Sequence, residues 1–244
     1  MIEMVNRGLP WDIAIFSDTR GEKPETYTFL GLFNRWLRKR NRSWIELVEY
    51  EPPIAPYRSL EEACLHNDTL PSIAYGFKSC SEKWKQRPQH QRLLGHPDAI
   101  ATWERGERVH KYIGFHHGEQ NRINGRRAME DKYHFVYPLD EWGFDQDDCL
   151  RTIKEAGLPL PSKSACFFCP SSKKHEILWL AEHHPELYQR ALAMEEKARD
   201  GKHGLQTVKG LGRNFSWRDV VEKRSLPVMV ETDVPCGCHD GDDE

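Results

Sequence analysis

No stretch of this chain approaches the ~20 consecutive apolar residues that a membrane-spanning helix needs, and its opening does not read as a charged-then-apolar leader, so no signal peptide is expected. Internal repeats and sustained heptads are missing too, which excludes solenoids and coiled coils. Neither charge dominates: 35 Lys and Arg face 38 Asp and Glu, for a net charge of −3. That balance gives no support to nonspecific nucleic-acid binding. Cysteine is sparse, with seven in 244 residues. The expected setting is the cytoplasm, where thiols stay reduced and serve as ligands or nucleophiles rather than as a disulfide frame.

What is present suits one large domain, or a domain with an extension. Hydrophobic residues make up 38% of the chain, enough for a core. Lys and Arg gather in the middle, while Asp240-Gly241-Asp242-Asp243-Glu244 closes the chain with negative charge. Local basic clusters point to an anionic small substrate or to RNA.

Met1 to Val5 reads as the end of a helix, closed by Asn6-Arg7-Gly8 and Pro10. Asp12 to Phe16 reads as a buried parallel strand with Ser17-Asp18-Thr19-Arg20-Gly21 at its C-terminal end. Pro24 opens a helix to about Arg40, and Trp44 to Val48 is a second strand. This β-loop-α-β order predicts an α/β fold, an open doubly wound parallel sheet that binds ligands outside the carboxyl ends of its strands. In such an alternation an opening helix implies a strand ahead of it. Short helices are expected over Leu60 to Leu65 and from Ser81, as a cap, to before Pro88. Strands follow over Val109 to Phe115 and near His134 to Tyr137, then a helix from Asp145 to Ala156 with Gly157 as its C-cap. The C-terminal half is helical over Lys174 to His183 and Pro185 to Arg199. The domain is drawn over residues 1–200, with 201–244 a loop-rich extension apart from Trp217 to Lys223.

Cys166-Phe167-Phe168-Cys169-Pro170 places two thiols in one loop just before a helix. From there both can face one metal or cluster, and the helix N-terminus with Lys173 and Lys174 stabilises negative sulfur. Zinc knuckles, redox dithiols and iron–sulfur proteins share this spacing, so further thiols decide. Cys80 is a distant third, with Cys149 as an alternative fourth. A soft all-sulfur site favours an iron–sulfur cluster, of the four-iron type, with zinc as the alternative. Cys149 lies beside Leu150 and Ile153 on an amphipathic helix, where a buried small hydrophobe is the plainer reading. Cys64 reads as structural.

Taken together these residues resemble the phosphoadenylyl-sulfate (PAPS) reductase family, within the adenine-nucleotide alpha-hydrolase-like fold. Phe16-Ser17-Asp18-Thr19-Arg20-Gly21-Glu22-Lys23-Pro24-Glu25-Thr26-Tyr27 is similar to the family's strand-end segment F-x-D-T-G-x-x-x-P-E-T-Y, with Arg20-Gly21 in place of an immediate Thr-Gly. Gly114, Glu119 and Arg122 stand at the spacing of its G-x-x-x-x-E-x-x-R segment near the nucleotide. Tyr137-Pro138-Leu139 through Gly157-Leu158-Pro159 and the cysteine loop follow in the family's order. Lys78-Ser79-Cys80-Ser81, the Cys166 to His175 run and Gly210-Leu211-Gly212-Arg213 most resemble phage- and prophage-type members.

The resemblance implies an adenine nucleotide, ATP or PAPS, held by Asp18, Thr19, Gly21, Gly114, Glu119 and Arg122. Lys78, Arg126, Arg127, Lys209 and Arg213 are candidate sulfate or phosphate contacts. Cys80 matches the first thiol of the Cys-Cys pair in cluster-bearing relatives, with Ser81 replacing the second. Three thiolates would leave one iron open, as in sulfur-transferring relatives. Pro235-Cys236-Gly237-Cys238-His239 resembles the E-C-G-x-H tail of true PAPS reductases, which makes Cys236 and Cys238 the catalytic candidates and a thioredoxin-like protein the reductant. The family's glycine-rich phosphate loop, S-G-G-K-D-S, has no counterpart before Asp12, so the first strand and phosphate loop are missing from the expected sheet.

Plainer readings stand beside these. Asp18 can cap the turn that follows it, Glu119 with Arg122 can be a surface ion pair, and each basic residue can be a solvated charge. Three functions remain open. The first is an enzyme of sulfur metabolism, either a sulfonucleotide reductase or an ATP-dependent sulfurtransferase that thiolates nucleic acid, which Lys83, Lys85 and Arg87 suit. The second is a catalytically inactive binding module, and the third a zinc-stabilised nucleic-acid-binding domain.

Overall fold

A computed structural model describes residues 1–125, 131–202 and 204–223. Helix α1 (Ile2–Asn6) leads through Gly8, whose φ of +67° glycine adopts without strain, to strand β1 (Ala14–Asp18). Helix α2 (Pro24–Arg38) starts with proline at its first turn, where the missing N–H costs nothing. It returns the chain to β2 (Ile45–Glu49), parallel to β1 with Ala14 opposite Ile45 and Asp18 opposite Glu49. Asn34 on α2 holds the start of β2 from both sides, accepting from Ile45 N at 2.7 Å and donating to Ile45 O at 3.3 Å. β1 therefore begins two residues later than the sequence implies, and Asp18 is its last residue.

Helix α3 (Leu60–His66) carries a Ser59/Glu62 capping box. The next helix corrects an expectation. α4 (Ser79–Ser81), a π-wound segment (Glu82–Gln86) and α5 (Arg87–Leu94) follow without a break, so Pro88 does not end the helix and Ser81 is buried rather than a cap. The wider π winding accommodates a residue without an N–H, and the carbonyl of Lys85 accepts from Ser17 Oγ at 2.6 Å. Helix α6 (Pro97–Glu104) has no counterpart in the sequence reading.

Strands β3 (Val109–Tyr112) and β4 (Tyr133–Val136) pair in parallel on either side of α7 (Gln120–Ile123). After α8 (Pro138–Glu141) comes α9 (Gln146–Glu155), with an Asp145/Asp148 capping box and Gly157 in the left-handed region at its end. The cysteine loop leads to α10 (Lys174–His183), α11 (Pro185–Asp200) and α12 (Trp217–Glu222). Among the described residues the strands form two parallel pairs, β1–β2 and β3–β4, rather than one continuous sheet. The strands are also less buried than parallel strands usually are: Leu47 is 56% exposed, and Ala14, Ile15 and Phe16 are only half-buried.

Three clusters hold the fold. The largest joins the cysteine loop to α3, Trp84 and the three last helices, with Phe168, Ile177, Met194 and Leu211 fully buried, and Trp217 of α12 lies inside it. A second packs α1 and α2 against Leu158, just past α9. A third sets Ile13, Ile15, Val109 and Phe135 from both strand pairs against Leu93 and Ala99.

Candidate functional site

The loop that leaves β1 and the cysteine loop form one unit. Asp18 Oδ1 accepts from Arg20 N at 2.7 Å and from the Tyr27 hydroxyl at 2.9 Å, so its carboxylate closes the turn in which Arg20 takes a φ of +58°. Arg20 then pairs with Glu49 at the end of β2. The next residues receive the cysteines. Thr19 Oγ1 lies 2.9 Å from Cys166 Sγ, Glu22 forms an antiparallel bridge with Cys166, and Phe167 N donates to Gly21 O at 2.7 Å. A Cβ at Gly21 would stand 2.7 Å from Phe168 Cε1, so the glycine is there to let the aromatic ring in. Cys169 N donates back to Cys166 O at 2.9 Å, which folds the two thiols into one turn.

Lys85, from the π-wound segment, reaches this turn. Its ammonium lies 3.9 Å from Glu22 Oε1, with Lys85 half-buried and Glu22 buried. Burial works against the Lys85 charge, but Cys166, Glu22, Cys169 and Cys80 together outweigh it and hold its pKa above the ordinary lysine value. Burial also raises Glu22, partly offset by Lys85. The same desolvation pushes up the thiols of Cys166 and Cys169, so the bare site holds them protonated at neutral pH. Cys64, pushed up to about 12 by burial, lies behind Cys80 as a core thiol. Cys80 itself is half-buried and lines a second cavity of about 530 Å³ with Cys64, Lys83 and Trp84.

Cys80, Cys166 and Cys169 suit soft-metal chemistry in kind. Among the described residues, however, no group of three or more His, Cys, Asp or Glu side chains is arranged to hold a metal ion. Cys149 stands elsewhere. Burial raises its thiol, and its chief charged neighbours are Asp148, Asp145, Glu119 and the Met1 amino group.

A second region lies between β1 and β3, a cleft of about 1140 Å³. Gly114, Glu119 and Arg122 line it, as do Ser162, Lys163 and Ser164. Glu119 accepts from His116 N at 2.9 Å and pairs with Arg122, whose guanidinium stacks 4.1 Å from the Phe115 ring centroid. This is a buried pair rather than a surface one. Lys111 enters the same cleft, where desolvation lowers its pKa to about 8. The cleft does not contain the cysteines. Ser164 connects the two regions, lining the cleft while its hydroxyl donates to Glu22 Oε2 at 3.3 Å.

The structure therefore divides the residues expected at one nucleotide site. Gly114, Glu119 and Arg122 face the cleft, while Asp18, Thr19 and Gly21 build the seat of the cysteine loop. Lys78 begins α4, its carbonyl accepting from Ser81 N at 2.9 Å. Lys209 and Arg213 are exposed in a tight loop, and Arg213 Nε donates to Ile73 O at 3.0 Å. Arg126, Arg127, Cys236 and Cys238 lie outside the described residues. Sequence reasoning missed Glu22 and Lys111, and took Lys85 only as one of several basic residues. The sole signal for Lys85 was its position five residues after Cys80, which shares a helical face only when the winding is π-like. Glu22 carried no sign that its side chain would be fully buried. No protein-family model, curated protein or solved structure matches the chain.

Proposed function

We propose that the protein is a PAPS reductase-like protein of sulfur metabolism, with an adenine-nucleotide alpha-hydrolase-like doubly wound fold and a cytoplasmic setting. It binds an adenine nucleotide at the rim of the cleft and carries out thiol or iron–sulfur chemistry beside it. One observation carries this reading: the Cys166–Cys169 turn is bonded directly onto the loop at the carboxyl end of β1, through Thr19, Gly21 and Glu22. In α/β proteins that end of the sheet is where ligands bind. Placing reactive sulfur there puts it next to bound substrate rather than in a remote structural knot.

In this scheme each residue has a distinct task. Ser162, Lys163 and Ser164 offer hydroxyls and a cation to an anionic ligand, and Arg122 is held in place by Glu119 and Phe115. Lys85 supplies the counter-charge that lets Cys80, Cys166 and Cys169 become thiolates, because each proton lost from a buried thiol leaves a charge that Lys85 offsets. Glu22 holds Lys85 in turn. Those three thiolates are the residues that would hold an iron–sulfur cluster, which when bound supplies electron or sulfur-carrying capacity. Sulfonucleotide reduction with a thioredoxin-like reductant and ATP-dependent thiolation of nucleic acid are the two versions of this activity.

Anaerobic purification followed by iron, sulfide and zinc analysis tests the cysteine half, and calorimetric titration with ATP and with PAPS tests the other. Iron with matching sulfide, together with nucleotide binding that Arg122→Ala weakens, is the expected result. Because the bare thiols are protonated, metal uptake should also strengthen with rising pH. The burial of Cys166 and Cys169 favours a second reading, an inactive binding module with a structural thiol site. Stoichiometric zinc, or no binding of either nucleotide at millimolar concentration, decides for it.

A further inference from the structure

The second cavity, of about 530 Å³, shares no lining residue with the cleft. Its size falls within the ~300–1,000 Å³ of small-molecule pockets. Aromatic side chains dominate its wall: Tyr57, Tyr75, Phe77 and Trp84. Trp84 is buried, set edge-on to Tyr50 at 5.0 Å and tilted against Tyr57 at 6.3 Å. Phe77 stands at the rim and is 68% exposed. Its backbone is nonetheless pinned. A 3₁₀ turn (Ser72–Tyr75) ends at Gly76 in the left-handed region, and Phe77 N donates to Ser72 O at 3.1 Å. A fixed backbone thus presents a bare ring at the mouth of an aromatic cavity. One cation faces the same space. Lys83 lines it, with its ammonium 5.2, 5.6 and 5.9 Å from the ring centroids of Tyr50, Tyr57 and Trp84. Among the described residues no carboxylate pairs with Lys83. Ring faces position an ammonium without neutralising it, so its charge is left for an incoming anion. Asn67, Thr69 and Ser79 add a few hydrogen-bonding groups to the lining.

From this arrangement we infer that the cavity is a second ligand site, for a planar aromatic ring that carries an anionic group, the chemistry of a nucleotide base with its phosphate. The ring stacks beneath Phe77 against the wall of Tyr57 and Trp84, and the anion meets Lys83. A purely apolar ligand would leave the Lys83 charge unused, and a bare anion would leave the four aromatic side chains unused. Stacking on aromatic side chains accepts any base, so the ligand is a free mononucleotide or one nucleotide of a single strand. Cys80 lines the same cavity, with its N–H donating to Ser72 Oγ at 2.9 Å. An occupant would therefore lie beside a thiol that the cleft does not reach. The inference rests neither on nucleotide binding in the cleft nor on a metal at the cysteines.

Calorimetric titration of the full chain with uridine, uridine monophosphate and a single-stranded uridine oligonucleotide tests it. Uracil is the probe because the cleft is proposed to take an adenine nucleotide. The monophosphate should bind, and uridine should bind more weakly. Phe77→Ala should weaken monophosphate binding about tenfold and leave Tm unchanged, because the ring is exposed. Lys83→Met should weaken it as well and remove its salt dependence. Arg122→Ala, in the cleft, should leave it at the parent value. An oligonucleotide that binds no tighter than the monophosphate marks a free nucleotide as the ligand, and one that binds tighter marks a strand. No binding of either at millimolar concentration overturns the inference. So does uridine that binds as tightly as its monophosphate, or binding that survives Phe77→Ala or Lys83→Met unchanged. Binding lost in Arg122→Ala alone would put the ligand in the cleft and overturn it too.

Discussion

At its carboxyl end β1 is clamped by the cysteine loop through a thiol–hydroxyl contact, a backbone bond and a buried aromatic ring. Along its free edge the same strand meets a cleft that contains none of those contacts. The difference lies in who supplies the partners. The clamp is made by residues some 145 positions away (Thr19 to Cys166 spans 147) that fold back as a compact turn and bring their own hydrogen bonds. The edge, with no third strand paired to it among the described residues, presents backbone groups at the interval of extended chain. One end of β1 is therefore fixed by side-chain chemistry, while its flank depends on backbone pairing.

The sharpest way to break the clamp is to empty it. Phe168→Ala removes a fully buried ring and should cost about 3–5 kcal/mol in urea unfolding. Lys85→Met leaves Glu22 buried without its cation, a loss of about 3 kcal/mol. The double variant with Glu22→Gln should recover most of it. Thr19→Val removes the contact to Cys166 and should cost about 1 kcal/mol, with faster labelling of Cys166 by a small maleimide as the second readout. At the small end, Lys209→Ala and Arg213→Ala should leave nucleotide titrations unchanged within error, because neither residue lines the cleft.

A pH series sharpens the same comparison. Burial holds the Glu22 carboxyl above its ordinary range, so the native state keeps a proton that the unfolded chain has lost. The associated stability is full below the unfolded pKa of ~4.3 and disappears as pH rises through the higher folded value. Glu22→Gln cannot ionise, so its unfolding free energy should gain on the parent's as pH rises from about 4 toward neutrality. A constant difference across that range would mean that Glu22 is not desolvated in the native state.

Much of the chain was legible from residue order. Asp145 with Asp148 announces a helix start, Gly157 its end, and Pro24 the entry to α2, because capping and φ preference are local physics. The helices after the cysteine loop and the strand cores near residues 15, 47, 110 and 135 follow from periodicity in the same way. Strand ends were less legible. The start of β1 is set by its register against Ile45, and β2 is held by the side chain of Asn34. Pro88 misled because proline ends an α-helix but not one that has already widened into a π turn.

By itself, then, the sequence determined the alternation of helices and strands, the thiol spacing of Cys166 and Cys169, and the placing of Asp18 at a strand's carboxyl end. Each depends on neighbours within one or two turns of chain. Only the tertiary structure decided that Thr19, Gly21 and Glu22 serve the cysteine loop, that Lys85 reaches Glu22 beside it, and that β1 and β3 face each other across a cleft. Those outcomes depend on which buried charges find partners and which backbone edges meet, and burial is a property of the assembled fold rather than of any stretch of residues.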